Sequence, residues 1–139
     1  MKCLKLIIVT FFFLGVIQPN YAQQIDSMMN VYAEGFPKEK IHVHFDRPYY
    51  NTGDTLFYKA YLLAVNEPSF LSKNLYVEWY DTSGVLVKQT VSPLFQATSK
   101  GSFEIPANYK GAFLHVKAFT RWMLNDDTAY LFQKNIPIN

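Results

Sequence analysis

Between His42 and Ala64 the chain reads HVHFDRPYYNTGDTLFYKAYLLA, two alternating runs joined by a corner that neither a continuous strand nor a helix can pass through. Ile41, Val43 and Phe45 alternate with His42 and His44, the period of a half-buried strand. Asp46-Arg47-Pro48 ends that strand, because proline has no N–H for a ladder and pushes the residue before it toward extended geometry. Asn51-Thr52-Gly53-Asp54 then turns the chain, with Gly53 free to take a positive φ. Thr55 to Ala64 is a second strand, with Leu56, Tyr58, Ala60 and Leu62 on one face and Phe57, Lys59, Tyr61 and Leu63 on the other. Apolar residues on both faces fit a strand near the centre of a sheet.

The remaining sequence supplies partners for this pair. Val65–Asn74 reads as a crossing loop, Leu75–Tyr80 as a strand, and Asp81-Thr82-Ser83-Gly84 as a hairpin turn into Val85–Val91. Pro93 makes that arm an edge or a strand end. Gln96–Gly101 is expected to turn, followed by strands at Ser102–Ile105, Ala112–Thr120 and Tyr130–Ile138, with Trp122–Thr128 as a connection. The count is seven strands, which predicts an all-β, antiparallel, immunoglobulin-like sandwich over residues 38–139.

Before the sandwich, residues 23–37 hold a short amphipathic helix and linker. Ile25, Met28, Met29 and Tyr32 recur at helical intervals, Gly35 is placed to stop the helix, and packing against the sandwich is the expected use of that face. Residues 1–22 carry the marks of a secretory signal peptide: Lys2 and Lys5, an apolar stretch from Leu6 to Ile17, and Ala22 at the expected cleavage point. The apolar stretch falls well short of the roughly 20 residues a spanning helix needs, so no transmembrane segment is expected in the mature chain. The single cysteine, Cys3, precedes the apolar stretch and is not placed for lipid attachment. Loss of Lys2 and Lys5 with the leader takes the formal charge from +2 to zero, which argues against nucleic acid as a partner. Without cysteine the mature chain has no disulfide and no thiolate nucleophile or metal ligand.

With these residues laid out, the run from Asp46 to Ala60 resembles the macroglobulin-like domain family: aspartate, a basic residue, proline, tyrosine, then glycine and an acid before an alternating strand. Gly84, Gly101 with Phe103, and Gly111 with Phe113 also sit where that family places later turns, so the likeness covers roughly residues 38–138. The resemblance implies a macroglobulin-type sandwich. It brings no active site, since trapping of proteases by such proteins needs a bait segment and a thioester cysteine elsewhere in a long chain. Glu39-Lys40-x-His42-x-His44-x-Asp46 and Ala118-Phe119-Thr120-Arg121-Trp122-Met123-Leu124-Asn125 are further similar to exported proteins of Gram-negative bacteria. There the sandwich leads a longer chain, often one with a TonB-dependent receptor plug. The resemblance thus implies periplasmic or outer-membrane association and leaves open whether the chain, ending at Asn139, is a fragment or a stand-alone module.

No catalytic residue, cofactor site or metal site is expected. His42 and His44 project from one strand face about 7 Å apart along the strand, but a zinc site would need a third ligand, for which His115 and scattered carboxylates are the candidates. Asp46, Asp54, Asp126 and Asp127 invite comparison with calcium ligands or a hydrolytic carboxylate pair, yet each sits at a turn, where aspartate bonds the local backbone. The expected function is a non-enzymatic structural or interaction module whose partners are neighbouring domains or envelope proteins. The alternative is a carbohydrate-binding module using exposed rings. In either case Trp122, Met123, Tyr49 and Tyr50 are the expected interaction surface.

Overall fold

The structure, a computed structural model, describes residues 25–29, 31 and 35–139. The expected signal peptide lies outside the described residues. The chain divides between Phe36 and Pro37 into two units. In the first, residues 25–29, 31 and 35 are helical, and Ile25, Met28, Met29 and Val31 are exposed. Tyr32 lies outside the described residues.

The second unit is a sandwich of two four-stranded antiparallel sheets. In chain order its strands are β1 (Glu39–Phe45), β2 (Thr55–Ala64), β3 (Glu67–Pro68), β4 (Asn74–Tyr80), β5 (Leu86–Pro93), β6 (Thr98–Glu104), β7 (Phe113–Phe119) and β8 (Phe132–Pro137). Sheet one places β2 at the centre, with β1 along one edge and β6 and the short β3 along the other. Sheet two runs β5-β4-β7-β8. The inward rows Leu56, Tyr58, Ala60 and Leu62 of β2 meet Leu75, Val77 and Trp79 of β4 and Leu114, Val116 and Ala118 of β7, all of them buried. Trp79 stacks on Phe103 at 4.4 Å and 12°, which seats two large rings of the core against each other.

The strand count is eight, not the seven expected from sequence. The extra strand lies in the segment expected to be a crossing loop: Val65 and Asn66 take φ of 49° and 72° and fold β3 back onto Leu63 and Ala64. A two-residue turn with both φ positive favours asparagine or glycine, and a β-branched valine at its first position hides it from pattern reading. β6 also starts earlier than expected. Its turn is only Gln96 and Ala97, again at positive φ, and Gly101 lies inside the strand directly opposite Tyr58. A Cβ at Gly101 would run into the Tyr58 ring and hydroxyl, so this glycine marks close approach within a strand rather than a turn.

Candidate functional site

The corner between β1 and β2 is a closed hydrogen-bond lock. The Tyr50 hydroxyl donates to Asp46 Oδ1 at 2.5 Å, and the same oxygen accepts the Phe57 N–H at 2.9 Å. In turn the Tyr50 hydroxyl accepts the Arg47 N–H at 3.0 Å. The Arg47 guanidinium reaches Asp54 Oδ2 at 3.2 Å and lies 4.9 Å from the centre of the Tyr50 ring, while Asp54 Oδ2 accepts the Asn51 N–H at 3.0 Å. Gly53, at φ 83°, donates its N–H to Ile105 O. Burial and the bond to Asp46 push the Tyr50 phenol up to about 12, and that same bond is the main reason the Asp46 carboxyl sits below its usual range. Tyr50 is wholly buried, so its expected role on an interaction surface is corrected: its hydroxyl is spent on the corner and its backbone pairs with Ile138. Tyr49 beside it is 56% exposed.

Met123 is corrected for the same reason. A 3-10 turn at Trp122–Asn125 rolls its side chain into the core, and its N–H donates to Thr120 Oγ1 at 3.3 Å. Trp122 is half-buried, with its indole N–H on Pro37 O at 2.9 Å. Thr120 belongs to a second lock, centred on the buried carboxylate of Glu39. Glu39 accepts from Ser69 Oγ at 2.7 Å, Ser72 Oγ at 2.5 Å, Ser72 N at 3.2 Å and Thr120 Oγ1 at 2.6 Å. Four donors converge on this carboxylate, which ties the start of β1 to the β3–β4 connection and to the end of β7.

His42 and His44 share an Nε2–Nε2 hydrogen bond of 3.2 Å on the outer face of sheet one. His115 lies on β7 in the other sheet, bonded through Nδ1 to Asn135 Oδ1 at 2.7 Å. Among the described residues no three histidines, acids or cysteines gather as a metal would require. Asp126 pairs with Lys38 at 3.5 Å, and Asp127 accepts the Ala129 N–H of its own turn.

Two exposed surfaces lie apart from the four residues expected from sequence. One is a shallow groove of about 750 Å³ on the outer face of sheet one, lined by His44, Phe57, Lys59, Tyr61, Lys100 and Ser102 among others. Its register sets His44 opposite Lys59, and Lys59 opposite Lys100. The alternation Phe57, Lys59, Tyr61 was visible along β2, but Lys100 joined it only once residues 98–101 proved to be strand. The other surface is the β5 edge. β5 has a strand partner on one side only, and Val85, Leu86, Val87 and Val91 are exposed there. The other edge strands instead present Lys40, His42 and His44 on β1, Lys100, Ser102 and Glu104 on β6, and Gln133, Lys134 and Asn135 on β8.

No family model matches the sequence, and no curated protein sequence is significantly similar to it. Solved structures share the fold. The native conformation of E. coli alpha-2-macroglobulin matches 75% of this chain with a TM-score of 0.61 at 12% identity, and the match covers 6% of that chain. Salmonella alpha-2-macroglobulin reacted with methylamine matches 73% of this chain with a TM-score of 0.62 at 16% identity, again over 6% of that chain. Trypsin-activated alpha-2-macroglobulin from Escherichia coli gives 0.58 at 14% identity, over 73% of this chain and 7% of that one. The fold is therefore that of a macroglobulin-like domain, and the chain spans well under a tenth of the length of these alpha-2-macroglobulins. Among the described residues no helix is long and apolar enough to cross a membrane.

Proposed function

We propose that this sandwich is a non-enzymatic structural and interaction module of an exported bacterial cell-envelope protein, in which it leads a longer chain. The observation that carries the reading is the β5 edge, where Val85, Leu86, Val87 and Val91 are exposed on or beside a strand with one free side. The inward row of the same strand is polar. Thr90 bonds Val77 O, Ser92 bonds Ser99, and Lys88 reaches over the Phe103 ring. An inward lysine and a terminal proline at Pro93 discourage open-ended strand addition, so the outward side chains make the contact. The occupant is an adjoining domain of the same polypeptide. That choice is supported by the size of the proteins sharing the fold, in which a unit like this fills 6% of the chain.

The test is an antibody raised against residues 37–139, applied to fractionated cells of the source bacterium. Detection in the envelope fraction of a polypeptide much longer than 139 residues supports the proposal. A short cytoplasmic species overturns it.

A further inference from the structure

We infer that the groove on the outer face of sheet one binds an acidic polysaccharide, a chain of carboxylate-bearing sugars. The reasoning starts from Lys59 and Lys100, which are Cα partners in the β2–β6 ladder and are both exposed. Side chains directly opposite on an antiparallel pair stand about 5 Å apart at Cβ, and like charges so placed destabilise the sheet. Neither lysine has an ion-pair partner among the described residues. Lys59 rests instead 5.0 Å from the centre of the Tyr61 ring, and His44 stands opposite it on β1. Of the acids nearest in register, Asp46 lines the corner end of the groove on the β1 side and Glu104 stands opposite Thr55 on the β6 side. Asp46 is already committed to Tyr50 and to the Phe57 N–H. The middle of the groove is thus a cationic site whose repulsion an anion would relieve.

The second half of the argument is the kind of anion. Phe57 is 55% exposed and follows the alternation Phe57, Lys59, Tyr61 along one strand face, a ring, a cation and a ring spaced about 7 Å apart. Apolar faces of sugar rings stack on such aromatics while their carboxylates meet the lysines, and Ser102, opposite Phe57, adds a hydroxyl. An acidic peptide is the poorer fit. The floor is the face of sheet one centred on β2, which is paired on both sides by β1 and β6, so an extended peptide lying along that floor would find no main chain to bond there.

The test is calorimetric titration of the protein with an oligogalacturonate, with its methyl ester, and with poly-glutamate. The expected result is binding of the oligogalacturonate that weakens as salt is raised and is lost with the ester. Lys59→Gln, Lys100→Gln and Phe57→Ala are each expected to weaken it by ~10-fold or more, the loss of one charge-assisted contact or one stacking platform. All three side chains are solvent-facing, and Lys100→Gln removes a repulsion, so its melting temperature should equal or exceed that of the parent. Absence of binding, equal binding of the ester, tighter binding of poly-glutamate, or unchanged affinity in the lysine variants each overturns the inference. The site is independent of the β5 edge: a Val87→Lys, Val91→Lys variant should keep its affinity for the oligogalacturonate whether or not the envelope assignment holds.

Discussion

At the scale of single residues, the side chains with the most consequence hold the chain in shape. Tyr50 is the clearest case. Replacing it with phenylalanine leaves Asp46 Oδ1 and the Arg47 N–H without their shared partner, and hydrogen bonds to charged groups contribute about 1.5–3 kcal/mol. Tyr50→Phe is therefore expected to cost about 2 kcal/mol at neutral pH, measured by urea denaturation. The pH dependence follows from the direction of each shift. A phenol raised from 10.0 to about 12 contributes stability that is complete below pH 10 and is lost as the pH rises toward 12. The depressed Asp46 carboxyl works in the opposite sense: its contribution is present above the ordinary value of 3.8 and disappears as the pH falls through its lower folded value. Tyr50→Phe should flatten both limbs of the stability profile. Tyr80, raised to about 12 mainly by its bond to Glu78, will keep part of the alkaline limb in place. Val65 gives a prediction of the other sign. At φ 49° and 80% exposed, it carries backbone strain with no packing in return, so Val65→Gly is expected to stabilise the fold by about 1 kcal/mol.

At the scale of elements, two locks and one glycine decide how strands meet. Glu39 joins three segments distant in sequence through Ser69, Ser72 and Thr120. Glu39→Ala would leave those hydroxyls and the Ser72 N–H in a site shaped for a carboxylate, at an expected cost of about 3–5 kcal/mol in thermal or chemical denaturation. The isosteric Glu39→Gln should lose less, since one amide oxygen still accepts. Gly101 acts by absence. Tyr58 lies over it and is buried against Trp79, so its ring can shift only at the expense of its packing, and Gly101→Ala is expected to cost about 1–3 kcal/mol through overpacking. A crystal structure of that variant would show the Tyr58 ring displaced toward Thr90, the hydroxyl it already approaches at 3.5 Å.

At the scale of the whole molecule, the two sheets divide the labour: sheet one presents a cationic, ring-bearing groove, and sheet two presents an apolar edge. Charging that edge with Val87→Lys and Val91→Lys should leave stability within about 0.5 kcal/mol, because exposed side chains contribute little to folding. It should also reduce self-association at high concentration, read by light scattering. The sandwich itself was legible in the chain, because alternation with period two through His42–Ala64, Leu75–Tyr80 and Ala112–Thr120 fixes which side of each strand is buried, and turn residues mark most of the ends. The chain alone also determined the corner, since Asp46, Pro48, Gly53 and Asp54 act within a few residues of one another. What it could not determine was anything set by register or by contacts across the fold. Met123 and Tyr50 look like surface residues until the 3-10 turn and the Asp46 bond draw them inward. Glu39 reads as an ordinary solvated acid until Thr120, far along the chain, closes over it. Lys59 and Lys100 become a site only because one particular pairing of β2 with β6 sets them face to face, and a shift of one residue would have turned Lys100 to the other side of the sheet.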